Sequence, residues 1–226
     1  MDKFALRFPL LCLIVEPTWP NLREVVESAL AAGVDMLQLR GHQFPASRLY
    51  ELACLLRRVC RDHGAAFLVN DRLDIGLASG ADGFQLGTRS FPLAVARELV
   101  GEYALLGASV HTLAEARAAV AGGADFLLAG TIFASSSHPG ATACGPGLLS
   151  ALKREFPACP LLAIGGINCA NAHLVMDAGA DGIAVISAIF GAKDVSQAVH
   201  ELRGILSSGC QKRLTFNALH RKEARL

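Results

Sequence analysis

Four times along the chain an alanine-rich helical stretch stops at a small-residue turn, passes an aspartate and enters a short apolar run: Ala32-Gly33-Val34-Asp35, Ser79-Gly80-Ala81-Asp82, Gly122-Gly123-Ala124-Asp125 and Ala178-Gly179-Ala180-Asp181. Glycine just past the last helical turn takes the left-handed conformation without steric cost, so each turn is a helix stop that feeds a strand. The runs that follow, 36–39, 83–86, 126–129 and 182–186, have strand length. Between them lie four more, at 11–15, 66–69, 104–108 and 161–164, each followed by helical pattern. Helices are expected over 21–32, 45–63, 72–79, 92–101, 112–122, 146–156, 168–178 and 194–206, with Asn21, Pro45, Asp71, Pro92, Thr112 and Asn168 as caps or starting prolines. Strands that are apolar without alternation are buried on both faces, as in a parallel sheet covered by helices. The pattern predicts an α/β fold: a single-domain (β/α)8 TIM barrel with a parallel eight-stranded core over 1–208. An open doubly wound sheet is the alternative. From 209 to 226 the pattern fails, and Lys212, Arg213, Arg221, Lys222 and Arg225 face one acid, Glu223; this reads as a basic flexible C-terminal tail.

Charge and cysteine content narrow the function classes. Lys plus Arg number 21 against 20 Asp plus Glu, a formal charge of +1, without the cationic excess of nucleic-acid binders. No nucleic-acid partner is expected. The apolar run at 10–15 ends at Glu16-Pro17, too short to cross a bilayer, and reads as the first buried strand rather than a targeting segment. No membrane partner is expected either. The seven cysteines are odd in number and contain no Cys-x-x-Cys, which suits free thiols in a cytoplasmic protein.

In such a barrel the side chains at the carboxyl ends of the strands converge on one face, so polar residues that close an apolar strand mark the candidate site. They are Gln38 and Arg40, Asn70 and Asp71, Gln85, Ser109 and His111, Gly130 and Thr131 with the Ser135-Ser136-Ser137-His138 loop, Gly165-Gly166, and Ile186-Ser187. The glycine pair and Ser187 each open a helical segment, where unpaired N–H groups suit a phosphate; the competing reading is a tight strand-to-helix corner. Arg40 offers a fork of donors to a second phosphate, or a salt bridge to Asp71 or Asp74. Asp71 suits Mg²⁺, or a helix N-cap, or both. The amides of Gln38, Asn70 and Gln85 suit a heterocycle, or satisfy backbone groups.

The set Gln38-Leu39-Arg40, Val69-Asn70-Asp71-Arg72-Leu73-Asp74-Ile75, Ser109-Val110-His111-Thr112, Gly130-Thr131-Ile132-Phe133, Ala163-Ile164-Gly165-Gly166-Ile167 and 178–187 resembles the thiamine-phosphate synthase/TenI family. The resemblance implies a (β/α)8 barrel of thiamin biosynthesis. Synthase members join a hydroxymethylpyrimidine diphosphate to a thiazole phosphate with Mg²⁺ and release pyrophosphate; TenI members lack that coupling, and some aromatise the thiazole phosphate by moving a proton. Carried over by motif, Gln38, Asn70 and Ser109 match pyrimidine-side positions, Arg40 a pyrophosphate contact and Asp71 a Mg²⁺ ligand. Gly165, Gly166, Ile186 and Ser187 match the thiazole-phosphate cradle.

Three departures turn the expectation toward TenI. The synthase pattern Arg-x-Lys is Arg40-Gly41-His42 here, the strand-6 loop has His138 in place of Lys, and the acidic segment after strand 4 reads Gly87-Thr88-Arg89-Ser90. The main reading is therefore a thiazole tautomerase-type protein in which His138, with His111 and His42 as further candidates, supplies acid–base catalysis, and Arg40 assists. Thr131 stands where the compared tautomerases carry His. The alternatives are a thiamine-phosphate synthase with Mg²⁺ and a non-catalytic sensor of a phosphorylated ligand. Thiazole phosphate or thiamin phosphate is the expected small-molecule partner, with a homodimer left open.

Overall fold

A computed structural model describes residues 6, 8–41, 43–102, 104–135, 140 and 142–207. The chain runs β1 (Leu10–Val15), α1 (Leu22–Ala31), β2 (Met36–Leu39), α2 (Ala46–Asp62), β3 (Ala66–Asn70), α3 (Leu73–Ser79), β4 (Gly83–Leu86) and α4 (Leu93–Val100). It continues with β5 (Leu105–Val110), α5 (Leu113–Ala121), β6 (Phe126–Ala129), α6 (Gly147–Glu155), β7 (Leu161–Ile164), α7 (Ala172–Asp177), β8 (Gly182–Val185), α8 (Ser187–Phe190) and α9 (Val195–Ser207). The strands pair in parallel in chain order, and β8 closes on β1 with Leu10 opposite Gly182. The fold is thus the (β/α)8 barrel, and the open sheet is excluded.

Strand pleat divides the core in two. Leu10, Cys12 and Ile14 point into the barrel with Met36, Leu68, Phe126, Leu128 and Leu162, whereas Leu11, Leu13, Val15, Leu37, Leu39, Phe67 and Val69 pack outward against the helices. Gln38 and Asn70 share the inward parity of Met36 and Leu68. Gly107 keeps the interior passable: a Cβ there would sit 2.2 Å from both Gln85 Oε1 and the Phe126 ring.

The repeated turns act as a latch. Gly33, Gly80, Gly123 and Gly179 all have positive φ, between 69° and 116°. The aspartate two residues on accepts the N–H of a residue at or near the start of the preceding strand: Asp35 from Leu11, Asp82 from Phe67, Asp125 from Leu106 and Asp181 from Leu161, at 2.8–2.9 Å. Each carboxylate also meets a cation. Arg57 on α2 reaches Asp82 at 2.9 Å, Arg97 on α4 reaches Asp125 at 2.6 Å, Lys153 on α6 reaches Asp181 at 2.5 Å, and Arg203 on α9 reaches Asp35. The latches hold the amino-terminal end of the barrel, opposite the site.

Several sequence expectations shift locally. β5 extends to Val110, so Ser109 lies inside the strand instead of after it. Thr112 caps α5 through its side chain, accepting Glu115 N–H at 3.2 Å, whereas Asn21, Pro45 and Pro92 precede their helices without a side-chain cap bond. α7 begins at Ala172, because 168–171 form a turn closed by Asn168 and Asn171. Asp71 is not the cap of α3; Arg72 occupies that position, and the Asp71 carboxylate faces the strand-4 loop. The tail at 209–226 lies outside the described residues.

Candidate active site

The carboxyl ends of the strands enclose a cavity of about 330 Å³. Gln38, Arg40, Asn70, Asp71, Ser109, His111, Gly165, Gly166, Ile186 and Ser187 all line it, so the structure gathers ten of the candidates into one chamber. His138 and His42 lie outside the described residues. Gln85 does not line the chamber: it is 1% exposed and stands behind Ser109. Apolar lining comes from Ile14, Leu128, Ile164 and Ala184.

A directed chain of hydrogen bonds runs from the Asp71 carboxylate into the barrel. Asp71 Oδ2 accepts Asn70 Nδ2 at 2.7 Å, which fixes Asn70 Oδ1 as an acceptor, and Gln38 Nε2 donates to it at 2.7 Å. The remaining polar atom, Gln38 Oε1, is left as an acceptor, complementary to an amine. Beside it Gln85 Nε2 donates to Ser109 Oγ at 3.1 Å, so the hydroxyl proton of Ser109 is free to donate. Gln85 Oε1 is buried without a partner among the described residues. Gln85 thus contacts Ser109 from outside the cavity lining.

Asp71 has φ 57°, a left-handed geometry that turns its side chain across the mouth. Its Oδ1 accepts Gly87 N–H at 2.9 Å and the Ser90 hydroxyl. Arg40 does not pair with Asp71 or Asp74: Asp74 is bound by Arg72 at 2.6 Å, and the acid beside Arg40 is Glu16, at 3.7 Å. Arg89 also lines the mouth. In sequence the position stands out as the loss of an acid, and its place in the strand-4 loop is the signal that a cation reaches the mouth. His111 directs Nδ1 at the carbonyl of Gly130, which leaves Nε2 as the free ring nitrogen.

Across the chamber, β7 and β8 bring the two late turns side by side, with Ile164 opposite Ala184. The N–H groups of Gly166, Ser187 and Ala188 donate to no backbone or side-chain acceptor among the described residues. The glycines also have a packing reason to be glycine. Gly165 and Gly166 have φ of 105° and 62°, and a Cβ on Gly166 would lie 2.3 Å from Ala134 O, one on Gly165 2.8 Å from Thr131 Cα. Phe133 N–H donates to Gly165 O at 3.0 Å, so the β6 loop is docked on this turn. Both sequence readings of the pair therefore have a basis in the structure.

Among the described residues no group of three or more His, Cys, Asp or Glu side chains forms a metal cage. Mg²⁺ is commonly held by one or two carboxylates with water and substrate phosphate completing the shell. Asp71 fits that requirement as a single carboxylate. No helix among the described residues is long and apolar enough to cross a membrane.

The family described as thiamine monophosphate synthase matches residues 11–189. A thiamine-phosphate synthase of Moorella thermoacetica is 46% identical over 186 residues, covering 81% of this chain and 88% of its own length. One from Chloroflexus aurantiacus is 44% identical over 194 residues, covering 85% and 88%. Among solved structures, a thiamine phosphate pyrophosphorylase from Pyrococcus furiosus superposes with a TM-score of 0.82 at 40% identity, over 88% of this chain and 96% of that one. A 3-hexulose-6-phosphate synthase, at 21% identity and a TM-score of 0.62, shares the fold.

Proposed function

The chain belongs to the thiamine monophosphate synthase family, and on that premise we propose that it is a thiamine-phosphate synthase that joins a hydroxymethylpyrimidine diphosphate to a thiazole phosphate. The names of the relatives favour this over the tautomerase expectation, which leaned on His42 and His138. The observation that carries the reading is the division of one chamber into two anion ends with an amide and hydroxyl array between them.

Arg40 and Asp71 lie at the diphosphate end, and Asp71 would hold Mg²⁺, which supplies charge neutralisation of phosphate oxygens. Gln38 Oε1 and the Ser109 hydroxyl orient the aminopyrimidine by opposite hydrogen-bond polarity, and Asn70 keeps Gln38 turned correctly. The turns at Gly165-Gly166 and Ile186-Ser187 hold the thiazole phosphate through main-chain N–H groups. In the reaction the C–O bond between methylene and diphosphate breaks with its electron pair on the departing oxygen. The thiazole nitrogen lone pair forms the new C–N bond to the same methylene. Nitrogen gains a positive charge, pyrophosphate gains a negative one, and no proton is needed. A charge contact near 4 Å contributes about 4 kcal/mol at an effective dielectric of ~20, so cations at the leaving group dominate the energetics.

The test is Mg²⁺-dependent formation of thiamin phosphate from the two precursors by purified protein. Failure to detect product at high enzyme concentration would overturn the reading. Aromatisation of thiazole phosphate carboxylate, run in parallel, is expected to stay at background.

A further inference from the structure

The proposed reaction leaves pyrophosphate with one more negative charge than it carried as an ester, and the mouth of the barrel holds a cation that the mechanism above has not used. Arg89 stands at the tip of the turn that joins β4 to α4, and it lines the cavity. Both ends of that turn are fastened to one carboxylate oxygen. Gly87 N–H donates to Asp71 Oδ1 at 2.9 Å and the Ser90 hydroxyl donates to the same atom, while Ser90 N–H closes the turn on Gly87 O at 3.1 Å. An otherwise exposed loop is thus anchored to Asp71, and Arg89 is carried over the cavity with it.

The guanidinium has no acidic partner among the described residues. Asp71, the nearest carboxylate by sequence logic, is turned toward N–H and O–H donors of the backbone and of Asn70 and Ser90. Arg40, in the same cavity, has Glu16 only at 3.7 Å, too long for a strong hydrogen bond. The mouth therefore presents two permanent cations whose planar forks match phosphate oxygens, around a single carboxylate suited to a divalent ion.

We infer that Arg89 is a diphosphate-binding residue that shares with Arg40 the charge released on the leaving group, so that this site binds pyrophosphate even without Mg²⁺. The inference rests on the synthase reading for the identity of the anion. The loop carrying Arg89 does the work of a fixed counter-charge, and Ser90 and Gly87 are the fastenings that keep it in place. A lysine at 89 would retain the charge and lose the fork.

The experiment is calorimetric titration of inorganic pyrophosphate in EDTA, on the wild-type chain and on Arg89→Gln and Arg89→Lys, with thermal melting to confirm the fold of each variant. The wild type is expected to bind; Arg89→Gln weakens binding by about tenfold or more, the scale of one charge-assisted contact, and Arg89→Lys falls between. A Mg²⁺ titration of thiamin phosphate formation gives the second readout. In Arg89→Gln kcat falls and the Mg²⁺ concentration for half-maximal rate rises, while KM for thiazole phosphate holds. Pyrophosphate binding that requires Mg²⁺ in the wild type, or that is unchanged in Arg89→Gln, overturns the inference and leaves the synthase reading intact. Absence of thiamin phosphate with pyrophosphate affinity still lost in Arg89→Gln does the reverse.

Discussion

The two ends of the barrel use carboxylates in opposite ways. At the amino-terminal end Asp35, Asp82, Asp125 and Asp181 are each consumed twice, by a strand N–H and by an Arg or Lys, and the pair Arg97–Asp125 is only 10% exposed on either side chain. At the carboxyl-terminal end Asp71 accepts from Asn70, the Gly87 N–H and the Ser90 hydroxyl, while the cations Arg40 and Arg89 line a cavity. Charge that is neutralised internally stabilises the fold, and charge left to be neutralised by a ligand binds it. Burial reinforces the distinction: desolvation lowers the Arg97 pKa below its ordinary value and raises that of Asp82, shifts that oppose ionisation and that their partners must offset.

This division is tested by substitutions whose effects should fall on one side of it only. The largest is Asp71→Ala, expected to lower kcat/KM for thiamin phosphate formation by about 10³-fold, measured at saturating Mg²⁺, with a urea midpoint close to wild type. A large loss of stability with normal turnover would erase the contrast. Next, Asp125→Ala strands the Arg97 charge in a buried setting and should cost about 3 kcal/mol in urea unfolding while KM for both substrates holds. Gln85→Leu sharpens the boundary, since this residue is buried but acts on the site through Ser109. Its expected signature is a rise of about tenfold in KM for the pyrimidine diphosphate, with little change in kcat. Smallest is Glu155→Gln, which breaks an exposed ion pair with Arg117 and should move neither the urea midpoint nor any kinetic constant measurably.

The barrel itself was legible because glycine stops and apolar runs recur at βα spacing, and positive φ at Gly33, Gly80, Gly123 and Gly179 is the conformation the pattern demanded. The latch was not. A sequence places Asp after each turn but does not reveal that its carboxylate reaches back to a strand 15–24 residues earlier. At the other end, strand-end position marked Gln38, Asn70, Asp71 and Ser109, and all four line the one cavity. It could not separate Gln85 from them, because inward parity alone does not say which inward side chain stands behind another. The Asp71 capping alternative failed because φ 57° turns the carboxylate away from α3. The tautomerase expectation loses ground for a different reason: relatives 44–46% identical to the chain are named thiamine-phosphate synthases, although Arg89 stands where the synthase pattern has an acid.

One latch differs from the others in where its cation originates. Asp82, Asp125 and Asp181 draw theirs from the helix just before the strand they cap, but Asp35 depends on Arg203, which also bonds the carbonyls of Gly33 and Pro9. During synthesis three fastenings close soon after their residues emerge, whereas the one at β1 must wait until α9 has been made. Truncation before α9 would therefore unsettle β1, although Arg203 stands 194 residues from Pro9, just ahead of that strand.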